Sequence, residues 1–380
     1  MNQRVAPASR RSARNIRPEP ANLAALGDRN LLFNEAHQAV YELNDLAAYV
    51  WRSLDTGMDE GAIVRELIET GLDPDQAGSA VLATLQELRT LHTATRAPPP
   101  LLLPKATERL TRLAIHIAGV AVQLHLSRAL VADVEAVFGP LITDLHDTDM
   151  LLCARVAGST VNVFSPGQPD WSCDRSHFIP LLKAQLIESV LLCAAYEVAM
   201  HAAALTRGDD AVLLVGSPGA GKTTLAIALE KAGFQMLADD VVLLHETGRI
   251  TGVPLPFAAK ASSWLLLSQH WPGVAATPSH SRPDGQTLCY IPQDPIADPR
   301  SRRIGSVVLL NRQDAARTCV EELDLVCALK ALVADGATRD QRLSMSGFTA
   351  LVDGLRDARC CRLTYSDLIE AADAVCGFHR

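Results

Sequence analysis

Ala211-Val212-Leu213-Leu214-Val215-Gly216-Ser217-Pro218-Gly219-Ala220-Gly221-Lys222-Thr223-Thr224-Leu225 reads as a buried strand that runs into a glycine-rich loop and leaves it as a helix. The part from Gly216 to Thr223 satisfies Gly-x-x-x-x-Gly-Lys-Thr. Its glycines let the backbone wrap an anion, so that successive N–H groups and the N-terminus of the next helix point at it. Lys222 adds a compact positive charge and Thr223 a hydroxyl for Mg²⁺. The expected nucleotide contacts are therefore Gly216, Ser217, Pro218, Gly219, Ala220, Gly221, Lys222, Thr223 and Thr224, and the expected cofactors are ATP or GTP with Mg²⁺. A glycine-rich turn without a ligand would satisfy the same spacing. The apolar strand before it and the helix after it favour the phosphate reading.

Downstream, the pattern predicts a helix over Thr223–Ala232, a strand over Gln235–Leu237, the pair Asp239-Asp240 and a strand over Val241–His245. Such alternation belongs to an α/β domain with its ligand at the carboxyl ends of strands. An acidic pair one such unit after the loop can divide labour. One carboxylate faces Mg²⁺ with Thr223 and the other accepts a proton from the attacking hydroxyl. A surface turn is the plainer use of two adjacent aspartates. Later segments read as a strand over Arg303–Leu310, helices over Leu323–Val333 and Phe348–Leu355, a strand over Cys360–Leu363 and a helix from Ser366. Upstream, His177–Leu205 reads as one long apolar helix, with His201 near its end as an ordinary helix-terminal histidine. Arg302 and Arg303 are candidates to reach a phosphate, although an arginine pair before a strand is more often solvated.

The bulk numbers bound the partners. The 380 residues are 48% hydrophobic and 21% charged, enough for two or three packed domains. A net charge of -8 argues against nucleic acid as the main partner. Nine cysteines carry no CxxC pair, which suggests reduced thiols and a cytoplasmic protein. The most apolar stretch, Leu186–Leu205, holds Glu188, Glu197 and His201, so no membrane span is expected. The first residues, with Arg4, Arg10, Arg11, Arg14 and Arg17, have the composition of a transit peptide, but a disordered basic tail over 1–19 is the preferred reading.

After that tail, the run Asn30–Leu43 reads as two short strands around a polar turn. A helix follows with Asp45 as N-cap and Gly57 as its stop, then helices over Asp59–Thr70 and Pro74–Leu91. Pro98-Pro99-Pro100 stiffens the chain, which gives a first domain over 20–96, a linker over 97–104 and a second domain over 105–380 whose phosphate-loop core begins near 195.

Two resemblances follow from these residues. Met200-His201-Ala202-Ala203, the loop with its flanking strand and helix, and Gly233-Phe234-Gln235-Met236-Leu237-Ala238-Asp239-Asp240-Val241 together resemble the catalytic core of the HPr kinase family, with a weaker likeness at Pro254–Phe257, Lys260 and Cys361–Leu368. The resemblance implies a phosphotransferase in which His201, Asp239 and Lys222 are catalytic. It implies Asp239 as the base, Asp240 with Thr223 on the metal side, and self-association as a further property. The N-terminal half has no likeness to the regulatory domain of those enzymes, so HPr is not implied as the substrate. The hairpin with Leu43-Asn44-Asp45-Leu46-Ala47-Ala48-Tyr49-Val50-Trp51 resembles PqqD-type domains, which implies a small winged-helix α+β domain binding the leader of a ribosomal precursor peptide by strand addition. The plainer alternative is a scaffold with Tyr49 and Trp51 in its core. The combined expectation is an α/β phosphate-loop kinase acting on a serine or threonine of that peptide. Its rivals are a small-molecule kinase and a non-catalytic, nucleotide-gated peptide chaperone.

Overall fold

The computed structural model describes residues 21–34, 39–74, 76–79, 81–82, 109–144, 148–292, 300–334, 336–337 and 342–379. The chain divides into two compact units, Met1–Thr95 and Arg96–Arg380. The expected tail, the polar turn 35–38, the end of the helix begun at Pro74 and the proline linker lie outside the described residues.

In the first unit three antiparallel strands, Ala21–Leu26, Arg29–Asn34 and Ala39–Leu43, lie in chain order. The first of them was not expected, because its Ala-Asn-Leu-Ala-Ala-Leu run has little of the β-branched character that marks strands. The helix Asp45–Asp55 is capped by Asn44, whose side chain accepts from the Ala47 amide at 2.8 Å. The expected cap Asp45 is instead the first helical residue, where its carboxylate accepts from Asn30 at 2.9 Å. Asp59 caps the helix Glu60–Glu69 in the same way. Val50, Ile63, Leu67, Ala77 and Val81 form the core of this unit, and Trp51 is only 2% exposed. Burying those faces is what holds so small a unit together.

The second unit begins with a five-stranded sheet in chain order: Thr111–Ile117, Val120–Leu126, Met150–Ala157, Thr160–Phe164 and Trp171–Asp174. The helix Arg128–Phe138 makes the crossover between the parallel pair Val120–Leu126 and Met150–Ala157. Phe178, Ile179, Leu182, Leu186 and Val190 of the next helix join the same core. That helix runs from Phe178 to Cys193 only, and Ala194 turns extended. The remainder of the expected long helix is two strands, Val198–Met200 and Ala203–Arg207. A continuous apolar run fits a fully buried strand as well as a buried helix, and here sheet pairing decided it. Together with the turn before it, Arg175–Cys193 is long and apolar enough to cross a membrane, but half of its apolar window is buried within the unit.

A six-stranded sheet forms the phosphate-loop core, in the order Gln235–Ala238, Ala203–Arg207, Asp210–Val215, Arg303–Arg312, Arg359–Tyr365 and Cys319–Leu323. The loop strand Asp210–Val215 is parallel to Arg303–Arg312, which is parallel to Arg359–Tyr365. Helices Lys222–Lys231 and Leu368–Phe378 pack together on this sheet. Two small sheets complete the unit. One holds Ile250–Gly252, Val242–Leu244, Val198–Met200 and Gly336–Ala337, and the other holds Phe257–Lys260, Thr287–Ile291 and Ser279–Ser281. The architecture is thus α/β, preceded by a small α+β unit.

Candidate active site

The apolar strand Asp210–Val215 delivers the chain to Gly216, and the helix starts at Lys222. Gly219 and Gly221 stand at φ 90° and 95°, left-handed values that glycine adopts without a Cβ penalty. Gly221 has a second reason to lack a side chain, since a Cβ there would run into the Tyr365 hydroxyl. Lys222 is buried along its stem and its ammonium donates to the Gly216 carbonyl, folding the lysine back over the loop.

Sheet register brings the acidic pair to the same place. Ala204 lies opposite Leu213 on one side and Ala238 on the other, so the chain leaves Gln235–Ala238 level with the end of the loop strand. Asp239 is 2% exposed. One of its oxygens accepts from the Ala258 amide at 3.1 Å, and the other, Oδ1, is buried without a hydrogen-bond partner. Burial and the neighbouring Asp240 push the Asp239 carboxyl up to about 6, against the pull of Lys183, the Ala258 amide and the Thr223 hydroxyl. Asp240 behaves oppositely: Lys183 beside it holds its carboxyl below the usual range, with His201 and Lys222 acting in the same direction. His201 makes an Nδ1 contact of 3.1 Å with the Asp240 carbonyl oxygen, which fixes the backbone between the two small strands.

Lys183 escaped the sequence reading. It sits in the middle of the apolar helix Phe178–Cys193, is 5% exposed, and donates to Asp240 Oδ2 at 2.6 Å. Burial alone would lower its pKa, but the facing carboxylates of Asp240 and Asp239 hold it above the ordinary value. The Tyr290 ring lies under its ammonium at 5.7 Å, and burial pushes the Tyr290 hydroxyl up to about 12. The available signal was a single lysine between apolar neighbours on a helix, since a lysine is almost never buried without a partner.

Other candidates fall elsewhere. Lys260 ends the strand whose Ala258 amide serves Asp239, and it has no ion pair among the described residues. Arg303 is level with Asp210 and ion-paired to it at 2.9 Å, at the start of the loop strand. At about 3.3 Å per residue that pair lies about 17 Å from Val215. Arg302 is buried at the same end, exchanging backbone hydrogen bonds of 2.7 and 2.8 Å with Ile250. The structure therefore gathers Lys222, Thr223, Asp239, Asp240 and His201, adds Lys183, and leaves both arginines at the far end of the sheet.

A magnesium ion suits this donor set. A buried, unpartnered carboxylate oxygen beside a threonine hydroxyl offers the hard oxygen ligands that Mg²⁺ takes. Among the described residues no three His, Cys, Asp or Glu cluster as a metal cage. Phosphate oxygens and water would complete the shell, as is usual for this ion.

The model of the family described as coenzyme PQQ synthesis protein D matches residues 29–92. No curated protein matches the chain. Among solved structures, the Hpr(Ser) kinase/phosphatase from Coxiella burnetii aligns at 13% identity and a TM-score of 0.23, covering 47% of this chain and 96% of that one. The chain is thus similar to PqqD over residues 29–92, within its first unit.

Proposed function

We propose that this chain is a nucleotide-dependent kinase that phosphorylates a serine or threonine of a ribosomally made precursor peptide, whose leader is captured by the PqqD-like unit. The reading is carried by one observation: the acidic pair emerges at the same end of the sheet as the phosphate loop, with an unpartnered Asp239 oxygen beside Thr223. Backbone amides between Gly216 and Thr224, other than that of Pro218, and the Lys222 ammonium would hold the phosphates of ATP or GTP. Mg²⁺, when bound by Thr223 and Asp240, would neutralise charge on those phosphates. Asp239, with its carboxyl near 6, is the proton acceptor, well matched to neutral pH. The peptide hydroxyl oxygen bonds to the γ-phosphorus, the bond to the leaving diphosphate breaks, and the hydroxyl proton passes to Asp239. His201 positions the pair through the Asp240 carbonyl. Phosphoryl transfer asks mainly for positioning and charge neutralisation, which these groups supply. Nine free thiols suit a reducing cytoplasm.

A second sharing of roles is favoured by the Thr223 hydroxyl lying beside Asp239: Asp239 would then be the metal-side acid and Asp240 the acceptor. Separate Asp239→Asn and Asp240→Asn variants decide. The metal-side change raises the Mg²⁺ concentration needed for nucleotide binding, whereas the acceptor change lowers transfer and leaves that requirement in place.

The function is tested with the purified full chain, ATP, Mg²⁺ and a co-encoded short peptide, read by intact mass. A gain of one phosphate that needs the leader is the expected result. Phosphate on a free amino acid or sugar instead would make it a small-molecule kinase. Nucleotide-dependent peptide binding with no mass change would make it a chaperone.

A further inference from the structure

The acidic pair carries a cation of its own. Lys183 Nζ lies 2.6 Å from Asp240 Oδ2, and that lysine is 5% exposed, so the pair is a buried ion pair and not a surface contact. The lysine comes from the helix Phe178–Cys193, whereas Asp240 follows the strand Gln235–Ala238, and Val241 and Leu243 beyond it pack in the same core as that helix. The Tyr290 ring under the ammonium closes a third side. Removing one member of such a pair leaves a buried charge uncompensated, so geometry this close has consequences for whatever else binds the carboxylates.

We propose that Lys183 is a positioning residue that acts as a fixed counter-cation of the acid pair, holding the Asp240 carboxylate by one oxygen and occupying the place in the charge balance that a second divalent cation would fill. The proposal rests on the reading of Asp239 and Asp240 as the pair that faces a magnesium-bound nucleotide. Two carboxylates carry two negative charges, and the ammonium cancels one. A single divalent cation then meets the remaining charge together with the phosphates, and no second ion is called for. Protein kinases that place two ions hold them with an aspartate and an asparagine. Here the lysine also repels the incoming cation, so the site holds its metal less tightly than the bare acid pair would. What it gives in return is orientation: one Asp240 oxygen is committed to Nζ and the side chain cannot swing, which transfer requires of groups that must be placed to within a fraction of an ångström.

The two effects oppose each other, and that makes the role testable apart from folding. With the full-length protein and ADP, Mn²⁺ binding is measured by electron paramagnetic resonance, alongside phosphate transfer and thermal unfolding. Lys183→Met is expected to bind Mn²⁺ about tenfold more tightly, because a repelling charge a few ångströms away is gone, and to transfer phosphate at least about a hundredfold more slowly. Lys183→Gln, which lacks the charge but still donates to Asp240, is expected to share the tighter Mn²⁺ binding while keeping more transfer than Lys183→Met. Weaker or unchanged Mn²⁺ binding in both variants would overturn the proposal, since a lysine that merely filled space would loosen the site on removal. Equal transfer in Lys183→Met and wild type would overturn it as well. Because Mn²⁺ counting with ADP needs no acceptor, wild-type protein that binds one Mn²⁺ but phosphorylates no peptide would count against the kinase reading and leave this test intact.

Discussion

Tyr365 donates its hydroxyl to the Ala220 carbonyl at 2.9 Å, so the last residue of the strand Arg359–Tyr365 is tied to the phosphate loop. Burial pushes the Tyr365 hydroxyl up to about 12, which keeps it a donor at any working pH. The same hydroxyl stands where a Cβ at Gly221 would lie. Tyr365→Phe leaves the Ala220 carbonyl without this donor and loses the equivalent of about 1 kcal/mol of loop order. Nucleotide Kd should rise about fivefold with kcat nearly unchanged. Gly221→Ala meets both the hydroxyl and a positive φ, and should weaken binding more than about fiftyfold. Titration with a fluorescent nucleotide reads both, and equal affinities in Tyr365→Phe and wild type would remove the tyrosine from the account.

A buried, ionised Asp239 costs stability above pH 6. Its carboxyl titrates near 6 in the fold and near 3.8 as an unperturbed group. Between those values the folded chain binds a proton that the unfolded chain has lost, so this group's contribution to stability falls as pH rises from about 4 to 6 and is constant on either side. Asp239→Asn should therefore raise the melting temperature of the protein without nucleotide or cation at pH 7.5, by about 3 °C or more. At pH 5 about half of the difference should be gone. Calorimetry at both values checks it; an asparagine variant less stable at pH 7.5 would mean that the carboxylate is held by contacts worth more than its desolvation.

The loop Gly216–Thr223 was legible because its glycines, lysine and threonine stand in one uninterrupted stretch between a strand and a helix, and that stretch folds locally. The acidic pair was legible for the same reason, since Asp239 and Asp240 follow the loop by one short unit. Lys183 was not, because its partner lies 57 residues away and only tertiary packing brings them together. The end of the helix at Cys193 was hidden too, because Ala202 to Leu205 is an unbroken apolar run and lacks the alternation that distinguishes a strand from a helix. Arg302 and Arg303 were candidates for a phosphate, with solvated surface the more usual place for such a pair, and the parallel register of Arg303 with Asp210 puts them at the far end of the sheet.

Gly252 offers a way to disturb the acid pair without touching it. A Cβ on Gly252 would collide with the Leu237 carbonyl and side chain, two residues before Asp239. The strand Ile250–Gly252 is fixed by its pairing with Val242–Leu244, so the displacement falls on Leu237. Gly252→Ala should cost about 1–3 kcal/mol of stability as an overpacked site. It should lower the transfer rate about tenfold or more, since misplacement of a reacting group by a fraction of an ångström is enough for that. Nucleotide Kd should change less than about threefold, because the loop is anchored by other strands. Equal losses in rate and in affinity would show that the whole site had shifted.

Trp51 separates the two units. It is 2% exposed on the helix Asp45–Asp55, next to Val50 of the small core, and so belongs to the packing of the first unit and not to an exposed recognition face. Truncating a buried tryptophan to alanine costs about 3–5 kcal/mol. A domain of this size has only about 5 kcal/mol or so to lose, so Trp51→Ala should leave the first unit largely unfolded at 37 °C. The phosphate loop, the acid pair and Lys183 all lie in the second unit, which has cores of its own. Nucleotide affinity should therefore stay within about twofold of wild type, while phosphorylation of the precursor peptide falls by more than about tenfold as leader capture is lost. Limited proteolysis confirms that the first unit has opened. Full peptide phosphorylation by a chain whose first unit is digested would show that the leader is held somewhere else.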